Sequence, residues 1–308
     1  MTTAVFSSEA FRRHVTPPGH PEQVARHDAV QAGLAALDVW RHDAPLADDV
    51  DILRCHPARY LARVRAAQPQ AGWAQLDGDT YLSPGSVEAA LRAVGGACAA
   101  VDVVVAGNAT NAFVAARPPG HHAERETAMG FCLFGTVAIA ARRALYHHKL
   151  TRVAVLDFDV HHGNGTQYLL WDEPSCMFAS SHQMPLYPGT GSAAEKGGHT
   201  QIFNVPLQTG SDGFVMRAAY EDVIFPAVTA FQPELILISA GFDAHEDDPL
   251  AGLNWKTEDF AWLTHRICDL ADQFCAGRVV SCLEGGYDLP ALQASVAAHV
   301  GVLQERGQ

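Results

Sequence analysis

The sequence predicts an α/β fold: a mainly parallel, doubly wound β-sheet with helices on both faces, forming a single domain over residues 1–308. Three observations carry that expectation. Short apolar runs rich in β-branched residues recur along the chain. Each stays apolar throughout instead of alternating, as strands do when both their faces are covered. Helix-like stretches separate the runs, with short connections.

The elements follow in chain order. VDVVVAG (101–107) reads as a strand, as do TRVAVLDFD (151–159), SCMFASS (175–181), PELILISAGFD (233–243) and RVVSCLEGGYD (278–288). Most of these runs close on glycine or acidic residues. GTVAIAARRALYHHK (135–149) is alanine-rich with a basic end and reads as a helix. FVMRAAYEDVIFPAVTAF (214–231) carries a helical apolar stripe, with Pro226 as a kink or break. TEDFAWLTHRICDLADQF (257–274) opens on Thr257 as an N-cap, with acids in its first turn. The chain has no internal repeat and no linker-like tract.

Composition narrows the function classes. The 308 residues are 48% hydrophobic and 18% charged, which is ordinary for a globular chain large enough to need no disulfide staples. The seven cysteines are odd in number and form no CxxC pair, so reduced thiols and a cytoplasmic location are expected. MTTAVFSSEAFRRHVTPPGH lacks a signal-peptide core, and LRAVGGACAAVDVVVAG is interrupted by Arg92 and Asp102, so no membrane partner is expected. A net charge of −13 argues against a nucleic-acid partner and is compatible with cationic substrates. Oligomeric state is left open.

The chemistry concentrates at predicted strand ends, where open α/β sheets bind ligands. VAVLDFDVHHGNGT (153–166) begins as a strand and delivers Asp157, Asp159, His161 and His162 within six residues. Such groups are costly to bury without partners. In extended backbone, Asp157, Asp159 and His161 share a face, and a carboxylate and an imidazole so placed can hold a divalent ion. Asp243, after LILIS, offers a further carboxylate. Two carboxylates and one imidazole leave positions open for water and substrate. Taken singly, Asp159 could cap a helix and Asp243 could sit in a turn. In RPPGHHAERETAMGFC (117–132), prolines and Gly120 constrain His121 and His122, as suits placed acid–base groups. Asp157 is free to orient one of them if the metal takes the other three residues. In CLEGGYD (282–288), Tyr287 offers a neutral donor for an oxyanion; a packed tyrosine after a turn is the plainer use.

RPPGHHA, GFC, DFDVHHGNGTQ, YPGTG, SAGFDAH and LEGGYDL stand in this order along most of the chain. With them the chain resembles the histone deacetylase superfamily, which includes the acetylpolyamine amidohydrolases, and EGGYDL looks class II. The resemblance implies an arginase-like fold, one catalytic Zn2+, a structural K+ or Na+, and amide hydrolysis by a metal-activated water. By position, Asp159, His161 and Asp243 resemble the zinc ligands, and His121 and His122 the tandem catalytic histidines. Asp157 and Asn164 resemble their acceptors, and Tyr287 the tyrosine on the scissile carbonyl. Phe131 and Tyr187 resemble the tunnel walls, Leu250 a gatekeeper position, and Gly130 and Gly286 complete the tunnel set. Met129 and Cys132 fall near the deeper acyl pocket. Asp157, Asp159, His161, Ser180 and Ser181 resemble a monovalent-cation site built largely of main-chain carbonyls.

Three departures are visible. Asn164 stands where class I members often have aspartate, Val24 where the family often has proline, and Leu250 where polyamine-selective eukaryotic relatives carry glutamate. The substrate expected is acyl-lysine in proteins or peptides. The alternatives are acetylpolyamines or other small acyl amines, and a non-catalytic acyl-lysine binder. An oxygen-rich ligand set also accepts iron(II) or cobalt(II).

Overall fold

The computed structural model describes residues 2–308. Eight strands form one sheet: β1 (Thr3–Ser7), β2 (Trp40–Asp43), β5 (Asn111–Val114), β6 (Val153–Asp157), β7 (Cys176–Gln183), β8 (Ile202–Leu207), β9 (Leu235–Ala240) and β10 (Val279–Leu283). Their order is β2-β1-β5-β10-β9-β6-β7-β8, and every neighbouring pair is parallel. Two-residue strands β3 (Ala74–Gln75) and β4 (Tyr81–Leu82) make a separate antiparallel pair.

Alternate strand residues feed two cores, as the pleat requires. Val155, Phe178, Leu237 and Val280 pack on one side, with α4 (Ser86–Val105) and α5 (Thr136–Tyr146). Leu156, Met177, Ile238 and Val279 pack on the other, with α1 (Ala25–Leu34), α9 (Thr257–Cys275) and α10 (Leu289–Arg306). Burial on both faces is why these strands read as continuous apolar runs.

Three local expectations are corrected. Residues 101–107 are not a strand, because α4 continues to Val105. Its buried positions Val87, Ala90, Val94, Ala97, Val101 and Val104 keep helical spacing, so the periodicity of the longer segment overrides the β propensity of its last valines. The strand is the next, four-residue apolar run, β5. Thr257 is the first helical residue of α9 and Lys256 precedes it as the cap; the Lys256 N–H donates to the Asp259 carboxylate at 2.9 Å. Pro226 does not break its segment. It sits at the start of α8 (Phe225–Phe231), after α7 (Gly213–Ala219) and a π-helical turn, Tyr220–Ile224. Proline has no N–H to continue the ordinary ladder, and the widened turn lets the Phe225 N–H reach back to the Tyr220 carbonyl.

Candidate active site and metal centre

The sheet order sets the carboxyl ends of β5, β10, β9 and β6 side by side. The loop after β5 carries His121 and His122. β6 ends on Asp157, and Asp159, His161 and Asn164 follow. Asp243 follows β9, and Tyr287 follows β10.

Asp159, His161 and Asp243 each present a ligand atom, and these atoms lie within 4.8 Å of one another. His161 Nδ1 is 3.1 Å from Asp159 Oδ1 and 3.1 Å from Asp243 Oδ2. The strand stops at Asp157, so the following loop, not continued extension, brings Asp159 and His161 together. N–H groups fix the carboxylates from behind: Gly285 donates to Asp159 Oδ2 at 2.8 Å and Val160 to Asp243 Oδ1 at 2.9 Å. A Cβ on Gly285 would lie 2.6 Å from Asp159 Oδ2 and 2.7 Å from Asp243 Cγ, so only glycine lets the chain pass here.

Both carboxylates are buried, and among the described residues neither pairs with lysine or arginine. Burial, reinforced by Asp159, raises the Asp243 pKa. Burial opposes charge on His161, but its bonds to the two carboxylates outweigh that and lift it to about 10. The trio demands positive charge and is built from divalent-metal donors, so its residues fit a metal ion. Asp102, His147 and His148 also gather ligand atoms, but there the Arg143 guanidinium already spans the carboxylate at 2.8 and 2.7 Å.

The paired histidines have different partners. His121 Nδ1–H donates to Asp157 Oδ2 at 3.0 Å, and His122 Nδ1–H to Asn164 Oδ1 at 2.7 Å. Their ring centroids are 4.0 Å apart. Burial disfavours charge on His121, yet Asp159 and Asp157 outweigh it and raise its pKa well above the ordinary range. Burial, with positive charge on His121 and His161, pushes His122 the other way and keeps it neutral. Burial also lifts Asp157 to about 6, against the pull of His121. Burial and Asp243 keep the Tyr287 phenol protonated. One imidazole thus bonds a carboxylate and the other a neutral amide, an asymmetry that favours charge on His121 over His122, the division of labour acid–base chemistry needs.

A cleft of about 240 Å³ opens onto this site. His122, His161 and Tyr287 border it, Phe131 and Tyr187 wall it, and Asp79 and Leu250 also line it, with Gly130 beside Phe131. Phe131 holds φ of 69°, an uncommon conformation for a bulky residue; its N–H donates to Thr80 Oγ1 at 3.0 Å. Gly286 does not line the cleft: its carbonyl instead receives Arg26 Nε at 2.7 Å. Met129 and Cys132 also lie outside the lining. Met129 Sδ accepts from Asn164 Nδ2, and the Cys132 thiol donates to the Gly130 carbonyl. Ser180 pairs in register with Asp157, while the Ser180 and Ser181 hydroxyls bond His182 and Tyr220.

Sequence reasoning assigned no role to a buried ionic cluster behind the site. Glu22 takes Arg26 at 2.8 Å and Arg117 at 2.6 and 2.7 Å. Arg26 lies 5.0 Å from the Tyr287 ring centre, and Arg117 introduces the histidine loop. The available signal was two arginines and a glutamate in apolar surroundings, which require mutual pairing when buried. Asp79 and Asp248 were also missed. The Asp248 carboxylate receives the Tyr287 N–H at 2.7 Å.

Residues 20–303 match the family described as the histone deacetylase domain. The chain is 40% identical over 301 residues to histone deacetylase 10, chloroplastic, of Oryza sativa subsp. japonica, covering 90% of this chain and 68% of that protein. It is 42% identical over 260 residues to a histone deacetylase-like amidohydrolase of Pseudomonas aeruginosa, covering 83% and 68% respectively. The crystal structure of the HDA15 HD domain superposes with a TM-score of 0.91 at 32% identity, covering 98% of this chain and 90% of that one. With the fold of its structural neighbour and a family match across nearly its whole length, the chain belongs to the histone deacetylase family.

Proposed function

We propose that this deacetylase is a zinc-dependent amidohydrolase that removes acetyl or other acyl groups from lysine side chains of proteins or peptides. The observation that carries the reading is the cleft: a space of about 240 Å³ lined by the Phe131 and Tyr187 rings together with His122, His161 and Tyr287. Such a space suits a slender alkyl stem bearing an amide. A groove of about 430 Å³ beside it, between Pro17–Pro18 and Pro249, shares Leu250 and Tyr287 and offers room for flanking chain.

Asp159, His161 and Asp243 would hold the zinc, which when bound polarises a carbonyl and acidifies a water. The chain's own groups do the rest. His122 is neutral and its Nδ1 is engaged by Asn164, so its Nε2 is the acceptor for the proton of the attacking water. The Tyr287 O–H donates to the oxygen that gains charge as water adds to the acyl carbon. The C–N bond then breaks, a protonated histidine gives its proton to the leaving amine, and a carboxylate and a free amine result. A K+ or Na+ beside Asp157 and Ser180 would be held by main-chain carbonyls, since the serine hydroxyls are already engaged.

One observation favours a second reading. The half-buried Asp79 carboxylate at the cleft would attract the distal ammonium of an acetylpolyamine as readily as a peptide N–H. The deciding experiment assays a fluorogenic acetyl-lysine peptide beside acetylputrescine, with and without chelator. Chelator-sensitive preference for the peptide is expected. Preference for acetylputrescine replaces the first reading with the second, and cleavage of neither leaves a binder. Asp243→Ala should lose zinc, whereas Tyr287→Phe should keep zinc and fold yet lose about a hundredfold in turnover.

A further inference from the structure

We propose that Glu284 is a positioning residue for the hydrolysis: its carboxylate ties the main chain of the His121–His122 loop to the end of β10, fixing imidazole and phenol relative to one another. It rests on the deacetylase reading for its kinetic readout.

Glu284 is fully buried and lies outside the cleft lining. Its Oε2 accepts the Gly120 N–H at 2.6 Å and the His121 N–H at 3.1 Å. Its Oε1 accepts the Ser239 hydroxyl at 3.2 Å. Its own N–H donates to the Ala240 carbonyl at 2.9 Å, and its carbonyl receives Arg26 Nη2 at 2.6 Å. Every polar group of the residue is therefore committed, and the partners come from the loop after β5, from β9 and from α1.

The local sequence explains why an acceptor is needed there. Pro118 and Pro119 have no N–H, so Gly120 and His121 supply the first main-chain donors after them. Two adjacent buried donors without an acceptor would each be destabilising. One carboxylate oxygen takes both, which fixes the main chain that carries the His121 ring. The ring's Nδ1 is fixed separately by Asp157. Glu284 is also three residues before Tyr287, across Gly285 and Gly286. Arg26 grips the carbonyls at positions 284 and 286, so the glycine pair has little freedom to let the phenol drift. A single side chain therefore references both reactive groups to one frame.

The reach of the acceptor, not its charge, sets the position, and that separates the informative variants. Glu284→Gln keeps an oxygen in place for both N–H groups, and its amide can donate to the Ser239 hydroxyl. Glu284→Asp keeps the charge but withdraws the acceptor by one methylene. In the full zinc-loaded chain, Gln should keep kcat within about threefold of wild type. Asp should lose about a hundredfold, the scale set by a shift of roughly 1 Å, with KM and zinc content held. Amide hydrogen exchange at Gly120 and His121 supplies a readout independent of catalysis: protection should persist in Gln and fall in Asp. An Asp variant within about threefold of wild type, or a Gln variant slower than Asp, overturns the proposal. Should Asp fail to fold, Gln decides alone, and a loss beyond about tenfold in it is equally fatal. If the wild type itself cleaves no acyl amide, the proposed function fails and the exchange measurement still judges Glu284.

Discussion

Gly130→Ala tests the packing that aims His122. Gly130 has φ of 55°, a left-handed conformation that costs an L-residue about 1–2 kcal/mol. A Cβ there would lie 2.7 Å from His122 Cγ and 3.0 Å from its Cβ, and closer still to Cδ2. Ordinary carbon contacts are about 3.5–4.0 Å, so the ring must retreat by roughly 1 Å. It has nowhere to go. Its Nδ1 is tied to Asn164 at 2.7 Å, and the His121 and Tyr187 rings flank it at 4.0 and 5.1 Å. Overpacking of this kind adds about 1–3 kcal/mol, for a total loss of about 2–5 kcal/mol of stability. A displacement of that size should lower kcat about a hundredfold while KM changes little. Urea denaturation measures the stability loss, steady-state kinetics on an acetyl-lysine peptide measure kcat and KM, and metal content checks that the variant is loaded. Turnover within about threefold of wild type in the folded, zinc-loaded variant would refute the reasoning, because His122 would then tolerate a misplacement that general-base geometry forbids.

Three further outcomes are expected. Asn164→Asp places a carboxylate on His122 Nδ1 and raises its pKa, so the acid limb of the kcat/KM profile should move up by about one to two units; an unmoved limb would remove His122 as the base. Burial holds His299, bonded to Thr264 and Ser281, at about 3, below its ordinary 6.5. Its contribution is complete above about pH 6.5 and is lost as pH falls toward 3, amounting to about 2 kcal/mol by about pH 5. Denaturation of His299→Gln near pH 7.5 and pH 5 should therefore show a pH loss smaller than wild type by about that amount. Leu250→Glu adds a second carboxylate to the cleft that Asp79 also lines and should lower KM for acetylputrescine by about fivefold or more without improving the peptide; an equal effect on both substrates would contradict a gatekeeping role.

Long-range features were legible where they left a local trace. The runs at β6, β7, β9 and β10 announce themselves because both faces are buried. β1, β2, β5 and β8 did not stand out: β2 and β5 span only four residues each, β2 is largely exposed at the sheet edge, β1 carries a short apolar stretch between Thr3 and Ser7, and β8 mixes buried with part-exposed positions. The valines at 101–105 misled because β-branched residues at the end of a long helix look like a strand when the preceding turns are ignored. Asp157, Asp159, His161, Asn164, Asp243, His121, His122 and Tyr287 lie in motifs dense in polar groups that a strand end has no other reason to carry. Glu284, Glu22, Arg26 and Arg117 left no such trace, because their roles exist only once residues from separate loops meet. The Gly286 carbonyl is a further case, since its partner, Arg26, comes from a distant helix.

The threading of the sheet also dictates when the enzyme can come into being. β5 and β6 never touch, because β10 and β9 are intercalated between them. A nascent polypeptide that has emerged only through β8 already holds the imidazole pair and two members of the chelating trio, on strands whose inner edges remain open. Such edges invite pairing with other chains. The late strands must wedge between them, a step of high contact order and hence slow. The proposed metal site, which needs Asp243, would consequently be completed only late in biosynthesis, and a ribosomal product stalled before Asp243 is a candidate for chaperone capture and not for activity.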